Sequence, residues 1–153
     1  MYVKLFLLIL VLTSKTALAA GDIPYHHLAV VLAGGVEKKS DHDENTSMAG
    51  LEYEYRFSAK LGIGAVYEEL GEDAVRNQAV ILPLSIHPGG HWRIFTGPGY
   101  EWHGSKEKYL WRLGGGYEFN IGGHWSLAPE ASVDMIENGD STWLLGLALG
   151  YHF

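Results

Sequence analysis

The chain has 153 residues, 47% of them hydrophobic and 12% aromatic, with 20 glycines and no cysteine. Its 11 basic and 18 acidic residues give a formal charge of −7, which argues against nucleic acid as a partner, because phosphate binding needs basic patches. The lack of cysteine excludes disulfide staples and a lipoprotein anchor.

Residues 1–20 read as a cleaved signal peptide. Lys4 supplies the positive start, Leu5 to Leu12 the apolar stretch, and Ala17-Leu18-Ala19 a small-x-small cleavage site. The apolar run is too short to cross a bilayer of about 30 Å as a helix. The exported chain then begins near Ala20 or Gly21, and residues 21–153 are expected to form one domain. Lys4 and Lys15 leave with the signal, so nine basic residues face 18 acidic ones, a formal charge of −9. Abundant glycine and aromatic residues, with no long amphipathic helix, point to an all-β protein.

Eight alternating segments follow in chain order. They run over about Tyr25–Glu37, Ser47–Phe57, Lys60–Glu69, Asn77–His87, His91–Trp102, Lys108–Phe119, His124–Ile136 and Thr142–Phe153. Each is roughly 10–13 residues, the length of a tilted membrane-crossing strand, whereas soluble strands have a mode of about 5–6. The second carries Leu51, Tyr53, Tyr55 and Phe57 on one face and Glu52, Glu54 and Arg56 on the other. The last alternates Trp143, Leu145, Leu147, Leu149, Tyr151 and Phe153 with Leu144, Gly146, Ala148, Gly150 and His152. Such alternation suits either a soluble barrel with an apolar core or a membrane barrel with an apolar exterior. Side-chain size separates the two. An eight-stranded barrel has little interior room, so the face rich in Gly and Ala belongs inside and the bulky face outside.

The connections alternate as well. Ser58-Ala59, Pro88-Gly89-Gly90 and Ile121-Gly122-Gly123 are tight, while Lys38–Thr46, Leu70–Arg76, His103–Glu107 and Glu137–Ser141 are more polar. Tight periplasmic turns and longer outer loops are the rule for outer-membrane barrels. Pro83, Pro98 and Pro129 fall within strands and predict bulges, with Gly97-Pro98-Gly99 the most irregular point.

Aromatic positions sort into two sets. Tyr25, Phe57, Trp92, Phe119, Trp125 and Phe153 lie beside the tight turns or termini. Tyr67, Tyr100, Trp102, Tyr109, Trp111 and Trp143 lie toward the opposite ends. Two rings separated by aliphatic residues are the girdles expected of a slab with two interfaces.

The whole exported stretch resembles the small outer-membrane β-barrel group of OmpA-like and OmpX-like proteins, in its signal, its eight alternating segments and its terminal aromatic strand. The resemblance implies an eight-stranded antiparallel up-and-down transmembrane β-barrel in a Gram-negative outer membrane. It further implies contact with the lipid bilayer and lipopolysaccharide, and recognition of the C-terminal strand by the barrel assembly machinery. A monomer is expected. Members of the group include structural and adhesive proteins, protease inhibitors and lipid A-modifying enzymes, so fold does not settle function.

The inward set contains Glu52, Glu54, Glu68, Glu101, Glu118, Glu130 and Asp134 against Arg56, Arg93 and Arg112. We expect these to form a structural charge network filling the lumen, the alternative being a narrow ion path. His26, His27, His87, His91, His124 and His152 gather toward the tight-turn end without a close-spaced ligand motif, so no metal site and no cofactor are expected. His124-Trp125-Ser126 has the His-x-Ser spacing of lipid A deacylases, but Glu137 would lie about 30 Å away along the strand. The Asp41-His42-Asp43-Glu44-Asn45 stretch lacks the ordered spacing of a calcium loop and reads as a solvated acidic loop. The expected function is therefore structural or surface-interacting and non-enzymatic. A lipid A-modifying enzyme, an ion-conducting pore and a soluble ligand-binding barrel are the competing readings.

Overall fold

The computed structural model describes residues 26–71, 77–89 and 91–153. The signal segment, Tyr25, Gly90 and most of the Leu70–Arg76 connection lie outside the described residues. The elements are β1 (His26–Lys38), β2 (Asp43–Arg56), β3 (Leu61–Leu70), β4 (Asn77–Ile81), β5 (Leu84–Ile86), β6 (Trp92–His103), β7 (Lys106–Tyr117), β8 (Phe119–Gly122), β9 (Trp125–Ile136) and β10 (Ser141–His152). All pairings are antiparallel, β3 pairing with both β4 and β5, β6 with the same two, and β9 with both β7 and β8, and β10 returns to pair with β1. β4 with β5, and β7 with β8, are halves of single wall strands, because the register continues unshifted across each break. The result is a closed antiparallel barrel of eight wall strands.

Closure fixes the tilt. The ladder from His26 passes through Tyr55, Ile63, Leu84, Thr96, Leu113, Val133 and Trp143 and re-enters β1 at Val36, ten residues along. With a rise of about 3.3 Å per residue and about 4.8 Å between strands, that stagger tilts the strands by about 41°. So narrow and tilted a barrel admits only side chains inside, which is why small residues recur on the inner face.

Proline explains both breaks. Pro83 separates β4 from β5, yet Leu82 N–H still donates to Pro98 C=O (2.9 Å) and Gly64 N–H to Pro83 C=O (2.8 Å). Pro129 lies in register with Tyr117, where β7 ends, and its missing N–H leaves that rung of the ladder unmade. The expectation of bulges at all three prolines is corrected accordingly. β6 runs unbroken through Gly97-Pro98-Gly99, and the irregularity sits opposite, at Leu82-Pro83. Gly97 is what allows the two chains to approach there, since a Cβ would strike the Leu82 carbonyl. Gly97→Val should therefore lower the unfolding free energy by about 1–3 kcal/mol in urea titrations of the folded protein.

The connections also differ from expectation. β1 and β2 extend to Lys38 and Asp43, closing on a short turn in which Lys39 N–H donates to His42 C=O (3.1 Å). The Lys38–Thr46 stretch is thus mostly hairpin, and the links at this end are as tight as those at the other among the described residues. Gly104, Gly123 and Gly139 take φ of 61°, 56° and 85° in three of the hairpin turns, a conformation costly for other residues.

Inside, an apolar cluster of Met48, Leu70, Ala79, Ile81, Leu110, Ile136 and Leu144 is packed toward the end remote from the C-terminus. The lumen is therefore not uniformly polar. Outside, Leu32, Leu145 and Leu147 are 61%, 70% and 53% exposed, within a continuous belt of aliphatic and aromatic side chains.

Candidate functional site

The ten acidic and basic residues singled out above all point into the barrel, because each occupies the inward phase of its strand. They divide into linked groups. At one level Arg112 donates through Nε and Nη2 to Asp134 (2.6 and 2.5 Å) and through Nη1 and Nη2 to Glu68 (2.7 and 2.5 Å). This double fork spans the lumen from β7 to β9 and β3. Nearer the C-terminal end, Arg93 pairs with Glu52 and, at 3.2 Å, with Glu130, and its guanidinium lies 4.7 Å from the centre of the Phe95 ring. At the next level Glu54 takes His87 Nε2 at 2.8 Å and Arg56 Nε at 3.4 Å, while Arg56 Nη2 donates to Glu118 at 3.1 Å. Glu101 stands apart toward the far end, accepting from Asn77 Nδ2 at 2.7 Å.

Phe95 was not anticipated. It points inward and is buried, filling the space left by Gly114, where a Cβ would meet its ring. Together these side chains close the lumen: between Glu52, Glu68, Phe95, Arg112 and Glu130 a cavity of only about 20 Å³ remains, room for about one water. Another concavity, about 570 Å³, is an open groove on the outer wall beside Tyr100, Tyr109 and Trp111.

The histidines do not all stay apart. Closure sets His27 of β1 opposite His152 of β10, and their rings stack with centroids 4.4 Å apart. Glu118 Oε1 lies 3.2 Å from His152 Nε2, and one ligand atom from each of the three residues falls within 4.8 Å of the others. Sequence spacing could not reveal this, because the two histidines belong to the first and last strands. The sequence shows no close-spaced ligand motif among the histidines, and this grouping forms only through the pairing of the first and last strands. His26 instead faces outward and bonds Tyr53 (2.8 Å between Nδ1 and the hydroxyl), and His91 and His124 are exposed at the turns.

The His-x-Ser reading fails on geometry. Ser126 is buried inside, 3.3 Å from His27 Nε2, while His124 and Glu137 are exposed in turns at opposite ends of β9. The Asp41–Asn45 segment is no cation loop either, since most of it belongs to β2. Glu44 binds Lys39 Nζ at 2.5 Å and His42 Nε2 at 2.7 Å. That hydrogen bond raises the Lys39 ammonium pKa, and the same partner, then His42, lowers the Glu44 carboxyl.

Of the expected aromatic girdle, Phe57, Trp92, Phe119, Trp125, Phe153, Tyr100, Tyr109, Trp111 and Trp143 are exposed on the outer face, and Tyr67 and Trp102 half-buried. Several touch: Trp92 meets Tyr117 edge-on at 5.0 Å, and Tyr100 meets Tyr109 likewise at 5.0 Å.

An eight-stranded antiparallel barrel with an apolar exterior and a filled interior is the architecture of small outer-membrane barrels. Solved structures agree at the level of fold. Neisserial surface protein A matches with a TM-score of 0.62 at 9% identity, over 84% of this chain and 97% of that one. The N-terminal β-barrel domain of Pseudomonas aeruginosa OprF matches with 0.61 at 15% identity, over 83% and 97%. Ail, the attachment invasion locus protein of Yersinia pestis, matches with 0.58 at 14% identity, over 84% and 100%. No protein-family model matches the chain, and no curated protein matches its sequence.

Proposed function

We propose that the chain is an integral outer-membrane barrel of a Gram-negative bacterium with a structural or surface-interaction role and no catalysis. The observation that carries this reading is the closed wall with its apolar side chains exposed outward. Monomeric soluble proteins rarely expose contiguous apolar patches beyond a few hundred Å², whereas lipid accepts such a belt at no cost. The aromatic residues at its two edges then serve as interfacial girdles. The salt-bridged lumen serves as filling, and the short links leave little surface for recognition of large partners. Lipid and lipopolysaccharide are the proposed contacts. The C-terminal strand is the segment the assembly machinery would engage, and a single copy of the chain suffices to close the wall.

The outer-membrane fraction, extracted in detergent, should contain a band whose gel mobility changes on boiling. Recovery of the protein wholly in the soluble periplasm would sink the proposal. The purified barrel should pass no steady current in planar bilayers, and lipid A from cells with and without the protein should give identical mass spectra. A discrete conductance would favour the pore, and a changed acyl pattern the enzyme.

A further inference from the structure

We infer that His27, His152 and Glu118 form a binding site for a divalent transition metal of the zinc type at the C-terminal end of the lumen. His27 and His152 are 4% and 6% exposed; Nδ1 of each ring lacks a hydrogen-bond partner, and His152 Nε2 faces only Glu118 Oε1, at 3.2 Å. Unpaired polar atoms are costly at such burial, and native interiors seldom keep two side by side. A metal ion relieves this by taking the lone pair of a nitrogen on each ring. The two oxygens of Glu118 already face different partners, Arg56 holding Oε2 at 3.1 Å while Oε1 faces His152 at 3.2 Å. Ser126 Oγ stands 3.3 Å from His27 Nε2, an outer partner of the kind metal-bound imidazoles keep.

The geometry needs only a small adjustment. Tetrahedral zinc has ligand bonds of about 2.0–2.2 Å to nitrogen and oxygen, so its donor atoms lie about 3.3 Å apart. The donors here are within 4.8 Å of one another, so a bound ion would draw them together by about 1.5 Å at most. Gly150 provides the room, since a Cβ at that position would collide with His27 Nε2 and Ser126 Oγ. Two imidazoles and one carboxylate suit zinc or copper and disfavour calcium and magnesium, which prefer oxygen alone. The neighbouring His87–Glu54 pair is a different case, because its carboxylate is already hydrogen-bonded and flanked by Arg56 and Arg93. The ligands come from β1, β10 and the junction of β7 with β8, so a bound ion would tie the closing seam to the wall strand on the far side of β9.

The test uses untagged, refolded protein in detergent, equilibrated with Zn²⁺ against a weak chelator and analysed for metal. One zinc per chain is expected, with a melting temperature raised relative to the chelated protein. His27→Gln, His152→Gln and Glu118→Gln should each weaken retention by more than the ~10–100-fold that loss of an outer partner costs. His91→Gln and His124→Gln should leave it unchanged, and the boiling-dependent gel shift reports whether each variant is folded. X-ray absorption of the zinc-loaded wild type needs no variant: two imidazole ligands support the site, and one or none overturns it. Failure of the folded wild type to retain zinc would also overturn it, as would retention that survives His27→Gln and falls with His91→Gln.

Discussion

Arg112→Met should lower the unfolding free energy by about 3–5 kcal/mol, the cost of breaking a buried ion pair from one side. Arg112 is 4% exposed and donates four hydrogen bonds, two to each carboxylate. Among the described residues, neither Glu68 nor Asp134 has another cationic partner within ion-pair distance. Methionine replaces the aliphatic stem without the fork, so the loss falls on two stranded carboxylates rather than on packing. Arg112→Lys should fall between wild type and Arg112→Met, because one ammonium cannot satisfy two forks at once. The triple variant R112M/E68Q/D134N should recover much of the loss, since neutral amides need far less compensation than charges. Urea unfolding of protein folded into vesicles, followed by tryptophan fluorescence, measures all three. A change for Arg112→Met of less than about 0.5 kcal/mol, the range of an ordinary surface substitution, would show that the fork does not bear on stability.

The wall was readable from the chain because period two is a local property. Leu51, Tyr53 and Tyr55 against Glu52, Glu54 and Arg56 define two faces without any knowledge of the neighbours. Register was not readable, and the unexpected features follow from it. His27 and His152 meet only because the ladder closes between the first and last strands. Pro129 breaks the ladder on its neighbour, opposite Tyr117, rather than on its own strand. Phe95 enters a lumen of small and charged residues because Gly114 lies across from it on β7. The apolar cluster of Leu110, Ile136 and Leu144 was equally hidden, since each residue is one inward position in a strand whose other inward positions are polar or small. The β1–β2 hairpin misled through composition: Asp43, Glu44 and Asn45 are poor strand formers, yet pairing with Val36, Glu37 and Lys38 carries them into the sheet.

Leu147→Arg and Ile121→Arg distinguish lipid from water around the wall, because exposure alone predicts the same result for both. Leu147 is 53% exposed and Ile121 57% exposed, and both point outward. In water, each change would stay within about 0.5 kcal/mol of neutral. In a bilayer, cost follows depth. Leu147 is six residues from Phe153 on the same strand, a rise of about 15 Å at about 3.3 Å per residue and a tilt of about 41°. That places it near the middle of an apolar band about 25 Å tall, where arginine costs about 2–4 kcal/mol. Ile121 borders the Gly122-Gly123 turn at the edge of the barrel, where the cost falls to about 0–1 kcal/mol. Unfolding in phosphatidylcholine vesicles should therefore separate the two variants by at least about 1 kcal/mol, with Leu147→Arg the weaker. Equal and small losses would mean that the outer face is not held in lipid, and the membrane assignment would fall with it. The comparison does not depend on how tightly the lumen is packed, since both side chains lie on the opposite face of the wall from the Arg112 fork.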